Sequence, residues 1–230
     1  MTERVLVVAA HPDDEVLGCG GAVARHARRG DEVSVLIMAE GVTSRATTRD
    51  KAEAAEVAEL RAAAREAAKA LGVNPPRMLG LPDNRLDEVA LLDVIKPIED
   101  IVSEFAPDTV YTHHAGDLNI DHQTVHRAVL TACRPLPGSS VTASYTFETL
   151  SSTEWGPPDA GETFIPRRFI DISSTLDIKL AALACYAGEM RPFPHARSTE
   201  AVRALAEWRG ASVGMPAAEA FDVIRQRVSD

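Results

Sequence analysis

Residues 5–15 run Val5-Leu6-Val7-Val8-Ala9-Ala10-His11-Pro12-Asp13-Asp14-Glu15, and between Ala10 and His11 the chain passes abruptly from apolar to ionisable. The first five residues are apolar and mostly β-branched, a brief run unbroken by polar positions. That pattern predicts a strand buried on both faces, as in a parallel sheet. Glu15 to Arg29 then has helical character and is closed by Gly30, with Arg28 and Arg29 at the negative end. The His-Pro-Asp-Asp step therefore falls where a strand ends and a helix begins. In open α/β sheets, ligands gather at that edge.

Outward from this unit the same alternation repeats. Val33–Met38 predicts a second buried strand, and the Ala/Glu/Arg-rich stretch Thr48–Leu71 a helix ending at Gly72. Arg77–Leu81 predicts a third strand, Val89–Phe105 a helix interrupted or restarted at Pro97, Thr109–Thr112 a fourth strand, and Asp121–Cys133 a helix after it. Strands and helices at this spacing predict βαβ units, hence an α/β, Rossmann-like fold: a mainly parallel sheet with helices on both faces. Beyond the Pro/Gly loop Arg134–Ser140, strands are expected within Val141–Leu150 and at Arg168–Ile172. Helices are expected over Thr175–Ala187, Thr199–Arg209 and Ala217–Val228, with Trp208 and Phe221 in the core and His26 structural. The irregular stretch Ser151–Thr163, carrying Trp155, is long enough to predict a functional or interfacial loop. No composition shift marks a boundary, so residues 1–230 are read as one domain.

The chain has 230 residues, 24 Lys+Arg against 34 Asp+Glu, a formal net charge of −10 and 5% aromatics. Few cations and few stacking platforms argue against a nucleic-acid binder. No run of apolar residues is long enough for a membrane helix. Three scattered cysteines without a CxxC pair suit a reduced, cytoplasmic protein.

Two segments carry chemistry. His11 with Asp13, Asp14 and Glu15 offers metal ligands with a carboxylate left over for proton transfer. A simple helix start explains the carboxylates but not the imidazole beside them. The second segment, His113-His114-Ala115-Gly116-Asp117-Leu118-Asn119-Ile120-Asp121-His122, follows the fourth strand and opens a helix. Two such loops on one sheet edge can meet across a crevice. His122 is then available to complete a three-ligand site with His11 and Asp14, with Asp117 or Asp121 supporting an imidazole from behind. His126, one helical turn on, is read as structural. A dinucleotide-binding reading lacks the G-x-G-x-x-G turn, since Gly18, Gly20 and Gly21 fall inside the helix and suit close helix–sheet packing instead. A dinuclear phosphoesterase would want more ligands than can be placed.

Ala10 to Glu15 matches the AHPDDE signature of the LmbE-like, or PIG-L, family of zinc-dependent N-acetylsugar deacetylases. Asp121-His122 resembles the end of the family's second motif, HPDH. The resemblance runs from residue 1 to about 135. It implies Zn2+ held by His11, Asp14 and His122, Asp13 as general base, and a small N-acetylated amino sugar or conjugate as substrate, with no nucleic acid or membrane partner. It further implies substrate contacts from Arg45 and Asp83, and a homo-oligomer, with the Trp155 loop as an expected part of the interface. The chain departs from the family where the second motif's first histidine is replaced by Asn119, expected here to face substrate. The role of that histidine falls to His113, His114 or His195, with His114 and His195 carried as catalytic candidates. Arg191 is a further candidate in the loop that presents His195. A non-catalytic sugar-binding protein on the same fold is the alternative that Asn119 leaves open.

Overall fold

A computed structural model describes residues 2–41, 52–157 and 163–228, with the backbone alone at 52–54. Its elements run β1 (Arg4–Ala9), α1 (Asp14–Arg28), β2 (Glu32–Ala39), α2 (Ala52–Leu71), β3 (Arg77–Leu81), α3 (Leu91–Phe105), β4 (Thr109–His113), α4 (Ile120–Ala132), β5 (Ala143–Phe147), β6 (Arg168–Asp171), α5 (Leu176–Cys185), α6 (Thr199–Ala211) and β7 (Ala218–Gln226). The part of the expected second helix before Ala52 lies outside the described residues.

The strands form one sheet of order β3-β2-β1-β4-β5-β7-β6. The first five are mutually parallel, and β7 is antiparallel to both neighbours. β1 alternates between two cores. Val5, Val7 and Ala9 pack with residues of α1, α2, α5 and α6, including Val16, Ala64, Ala182 and Val202. Leu6, Val8 and Ala10 pack with α3 and α4, through Val94, Ile98, Val125 and Val129. A strand covered on both sides has no polar face to display, which is why its sequence is uniformly apolar. β1 is also where strand order reverses, with β2 on one side and β4 on the other. The crevice outside the carboxyl ends of β1 and β4 is the expected site location in such a sheet.

α1 is broken near its start. Cys19 has φ −147° and ψ 18°, outside helical values. In an unbroken helix the Gly21 N–H would donate to the Leu17 carbonyl. Here Gly21 N and Ala22 N donate instead to the two oxygens of Glu219, at 2.9 and 2.7 Å, and Lys179 Nζ donates to the Leu17 carbonyl at 2.7 Å. Lys179 and Glu219 close the circuit at 2.6 Å, both almost wholly buried. An ion pair thus replaces the missing backbone hydrogen bonds. The break also lets α1 approach the sheet closely: a Cβ at Gly18 would lie 2.1 Å from the Phe147 ring.

This arrangement accounts for the main error in the sequence reading. Ala217–Val228, expected as a helix, is instead the strand β7 between β5 and β6. Glu219 shares a strand face with Phe221 and Val223, which pack in the core, so the period-two apolar signal is interrupted where the carboxylate turns inward to cap α1. Helix propensity of the alanines then outweighs the pattern, and tertiary context overrides it. Trp208, expected in the core, is 68% exposed; α6 buries the stripe Val202, Ala206 and Gly210, and Trp208 lies off it. Phe221 is fully buried, though on a strand. His26 is buried against Asp31 at 2.8 Å. Among the described residues no helix is long and apolar enough to cross a membrane.

Removing one partner of the inserted ion pair leaves the other charge buried and α1 unpaired. Lys179→Met is expected to cost about 3–5 kcal/mol of stability, measured by urea unfolding.

Candidate metal centre and active site

The turn from β1 into α1 is tight and strained. Asp13 has φ 104°, in the left-handed region that side-chain-bearing residues seldom adopt. Its carbonyl starts α1 by accepting from Val16 N and Leu17 N. Its own N–H donates to Glu15 Oε2 at 3.0 Å, and Tyr186 donates to Glu15 Oε1 at 2.6 Å. Glu15 is thereby clamped between the strained turn and α5's end, and burial raises its pKa to about 7.

Around this turn the donor atoms of His11, Asp14 and His122 lie within 4.8 Å of one another. Asp14 Oδ2 is 3.2 Å from His11 Nδ1 and 3.2 Å from His122 Nε2. Each imidazole is held from behind. His11 Nε2 is 3.1 Å from Asp121 Oδ2 and 3.2 Å from Asp83 Oδ1, and Asp121 itself accepts from Asn84 N and Leu86 N. His122 Nδ1 is 3.1 Å from Asp117 Oδ1. Asp117 accepts from Ser152 Oγ, from Thr153 Oγ1 at 2.6 Å and from Asn119 N at 2.9 Å. Both aspartates offered as imidazole supports are thus used, one per histidine, which leaves His11 Nδ1 and His122 Nε2 to converge on Asp14.

The electrostatics call for a cation. Burial opposes charge on His11, yet Asp121, Asp14 and Asp83 raise its pKa to about 10. His122 is likewise raised to about 9 against burial, by Asp14 and Asp117. Burial also disfavours charge on Asp117, but His122, Ser152 and Thr153 hold it down to about 2. In the protein alone, protons on two imidazoles stand in for missing positive charge. Asp14 Oδ1 is buried without a hydrogen-bond partner among the described residues, an expensive state for a carboxylate oxygen. Two nitrogens, one carboxylate with an orphaned oxygen, and carboxylates behind each imidazole fit a divalent cation such as Zn2+.

His113, beneath the site, is neutral. Its Nε2 accepts from Ala10 N at 2.9 Å and its ring stacks on His122 at 3.9 Å. Burial and then the His122 charge push its pKa far down. His126 Nδ1 donates to the His113 carbonyl at 2.8 Å, a structural bond.

In front of the triad lies a cavity of about 140 Å³ whose wall includes Asp13, Asp83, Asn84, Asn119, Glu189 and Arg197. Asp13 is 2% exposed and accepts from Arg197 Nη1 at 2.8 Å. Burial raises its pKa well above the usual carboxylate range; Arg197 opposes this, while Asp14, Glu189 and Glu15 reinforce it. The expected site residues separate as follows. His11, Asp13, Asp14, Asp83, Asn119 and His122 are brought together. Asn119 caps α4 by accepting from Asp121 N at 2.8 Å, and its amide donates to Asn84 Oδ1 at 2.9 Å. His114 instead packs edge-on against Phe164 at 5.2 Å. His195 is exposed, its ring 6.3 Å from Trp155, and its Nδ1 accepts from Arg197 N. Arg191 is exposed and bonds the Gly188 and Met190 carbonyls. Arg45 lies outside the described residues. Arg197 and Glu189 went unnoticed in sequence. The available signal was that the His195 loop carries a second arginine, six residues after the first.

Comparison with known proteins gives this geometry a frame. The family model described as PIG-L, GlcNAc-PI de-N-acetylase, matches residues 6–133. "Uncharacterized deacetylase YaiS" of Escherichia coli is 31% identical over 185 residues, 78% of this chain and 88% of that protein. The chain belongs to the PIG-L family. Two solved structures share the fold. An N,N'-diacetylchitobiose deacetylase from Pyrococcus horikoshii has TM-score 0.77 and 21% identity, over 97% of this chain and 84% of that one. GalB, a 4-carboxy-2-hydroxymuconate hydratase from Pseudomonas putida, has TM-score 0.78 and 24% identity, over 100% and 99%. The PIG-L match spans β1 to α4 and so holds every residue of the triad, whereas Arg197 and Glu189 lie beyond it.

Two outcomes follow for the PIG-L triad. Since metal-free His11 and His122 keep their second protons to about pH 10 and 9, binding Zn2+ near pH 7 should release both. Affinity then rises with pH, by up to about two decades per unit, and calorimetry in buffers of different ionisation enthalpy counts the protons. Asp117→Asn, which loosens His122, should weaken Zn2+ binding by about 10–100-fold with the fold retained.

Proposed function

We propose that this PIG-L protein is a zinc-dependent deacetylase that hydrolyses the acetamide of an N-acetylglucosaminyl-type small molecule to acetate and free amine. The observation that carries this reading is Asp13. It is a buried carboxylate next in sequence to a member of the triad and outside it, on the cavity wall, 2.8 Å from a guanidinium. A Zn2+ held by His11, Asp14 and His122 supplies Lewis acidity and makes water acidic near neutral pH.

The protein's own groups do the rest. Asp121 and Asp117 fix the two imidazoles so that the ligand nitrogens face Asp14. A carboxylate oxygen of Asp13 takes a proton from the attacking water as that water's oxygen bonds to the acetamide carbon. When the carbon–nitrogen bond breaks, Asp13 returns the proton to the departing nitrogen. Burial beside other carboxylates raises its proton affinity, which suits a group that must hold a proton between these events. Asp83, Asn84 and Asn119 line the cavity with acceptors and donors for sugar hydroxyls.

Among the described residues of the wall, three carboxylates stand against one guanidinium, a balance that favours a neutral polyhydroxylated ligand over the tricarboxylate of the hydration chemistry named for GalB. Acetate release from N-acetylglucosamine, its inositol and malate conjugates and diacetylchitobiose, alongside hydration of 4-carboxy-2-hydroxymuconate, tests the choice. Turnover on an acetamide is expected; hydration alone would replace the reading. Asp13→Asn should keep its Zn2+ and lose about 10²–10⁴-fold in kcat, measured with metal content on the same preparation.

A further inference from the structure

Amide hydrolysis needs more than a metal and a base. As the water oxygen bonds to the acetamide carbon, the carbonyl π pair moves onto oxygen, and a donor beside that oxygen lowers the barrier. In PIG-L motifs that begin with histidine, that residue is available for such work; this chain has Asn119 there.

The structure allows each replacement to be weighed. Asn119 carries no charge, and its Oδ1 takes the Asp121 N–H while its amide donates to Asn84, so it keeps only neutral hydrogen-bonding capacity for a ligand. His113 is fully buried beneath the site, one nitrogen taking the Ala10 N–H and the other 3.4 Å from Thr149 Oγ1. His114 packs on Phe164 and His195 on Trp155, and neither belongs to the cavity wall. Among the described residues of the cavity wall, Arg197 is the one that bears a fixed positive charge.

Arg197 is also placed with care. Its Nε donates to Ser151 Oγ at 2.6 Å, its Nη1 to Asp13 Oδ2 at 2.8 Å, and Glu189 Oε2 stands 3.7 Å from Nη1. Its backbone is pinned on both sides: Arg197 N donates to His195 Nδ1, and Arg197 O accepts from Arg191 N. Ser151, in the loop after β5, and the segment after α5 therefore hold the guanidinium from two directions against the general base. A charged group so fixed reorganises little during reaction, which is what makes such donors effective.

We infer that Arg197 is a catalytic residue of this site, donating through its guanidinium to the developing oxyanion in place of the histidine that Asn119 displaces; the inference rests on the deacetylase reading. A guanidinium does not give up its proton in a protein. The negative charge that appears on the acetamide oxygen is therefore stabilised by N–H donation and returns to the carbonyl when the carbon–nitrogen bond breaks. The proton delivered to the leaving amine is the one that Asp13 took from water. One carboxylate then serves as base and acid in turn, and the cation beside it supplies charge alone.

The test uses the Zn2+-loaded protein and the acetamide it turns over fastest. Arg197→Gln is expected to lower kcat by about 10²–10³-fold with KM changed by less than about threefold and Zn2+ content unchanged. Affinity for a methylphosphonamide analogue of the substrate, read by calorimetry, should fall with kcat/KM, while affinity for the amine product stays the same. Added guanidinium should restore part of the turnover of Arg197→Ala, and Arg197→Lys should retain more activity than Arg197→Gln. Arg203→Gln, exposed on α6 and paired with Asp177, should behave as wild type. If Arg197→Gln turns over within about threefold of wild type, or analogue and product affinities drop together with kcat intact, Arg197 merely binds and the inference fails. Loss of Zn2+ with activity restored by added Zn2+ overturns it equally. A wild-type protein silent on every acetamide overturns the deacetylase reading, and this assignment with it.

Discussion

The Asp14 carboxylate, shared between two imidazoles, is the interaction on which the rest of the site depends. One oxygen lies 3.2 Å from a nitrogen of His11 and 3.2 Å from a nitrogen of His122, and the other is buried without a hydrogen-bond partner among the described residues. A carboxylate so buried is tolerable only where positive charge is supplied. The two histidines come from loops about 110 residues apart in sequence. The neighbouring positions of β1 and β4 bring those loops together, and that adjacency follows from the reversal of strand order at β1. Topology thus supplies the meeting point, and the aspartates behind each ring supply the aim.

Holding Asp14 there demands an unusual helix start. The left-handed turn at Asp13 is braced through Glu15 and Tyr186, and the break at Cys19 is closed by Lys179 and Glu219. Each brace comes from α5, its C-terminal end, or β7, elements late in the chain and outside the part matched by the family model. The ligands are local to two motifs, but the rigidity of the motifs is imported. Buried groups that look dispensable to chemistry, Lys179 above all, maintain the geometry of a site they do not touch.

This division explains what the sequence made legible. The β1 run and the His-Pro-Asp-Asp step show themselves because a strand buried on both faces and a strand-end cluster each leave a local pattern. His122, Asp117 and Asp121 follow because the second cluster occupies the equivalent position after β4. The family resemblance assigned the base and the ligand set from the same residues. The β7 sequence predicts a helix because Glu219 breaks its alternation for the sake of a distant helix. Trp208 is expected inside because it lies in a helical pattern, whereas the small stripe Val202–Ala206–Gly210 is the face α6 buries. Arg197 escaped because nothing in an irregular segment with Pro192, Pro194 and two arginines indicates which cation turns inward.

The stretch from Asp117 to His122 shows why Asn119 need not mark a dead site. Asp117, Asn119 and Asp121 alternate along the turn, and each has separate employment: Asp117 on His122, Asn119 on the Asp121 N–H in the first turn of α4, Asp121 on His11. Asparagine is among the strongest N-caps, worth about 1 kcal/mol over a residue without an acceptor. Here the cap acts on the backbone N–H of Asp121 itself and so fixes the start of a helix whose first turn carries both Asp121 and the ligand His122. The stretch thereby has an asparagine where the family motif has an imidazole, and that asparagine caps the turn that carries Asp121 and His122. On the reading proposed above, the electrophilic work passes to Arg197, brought to the same cavity by the segment after α5.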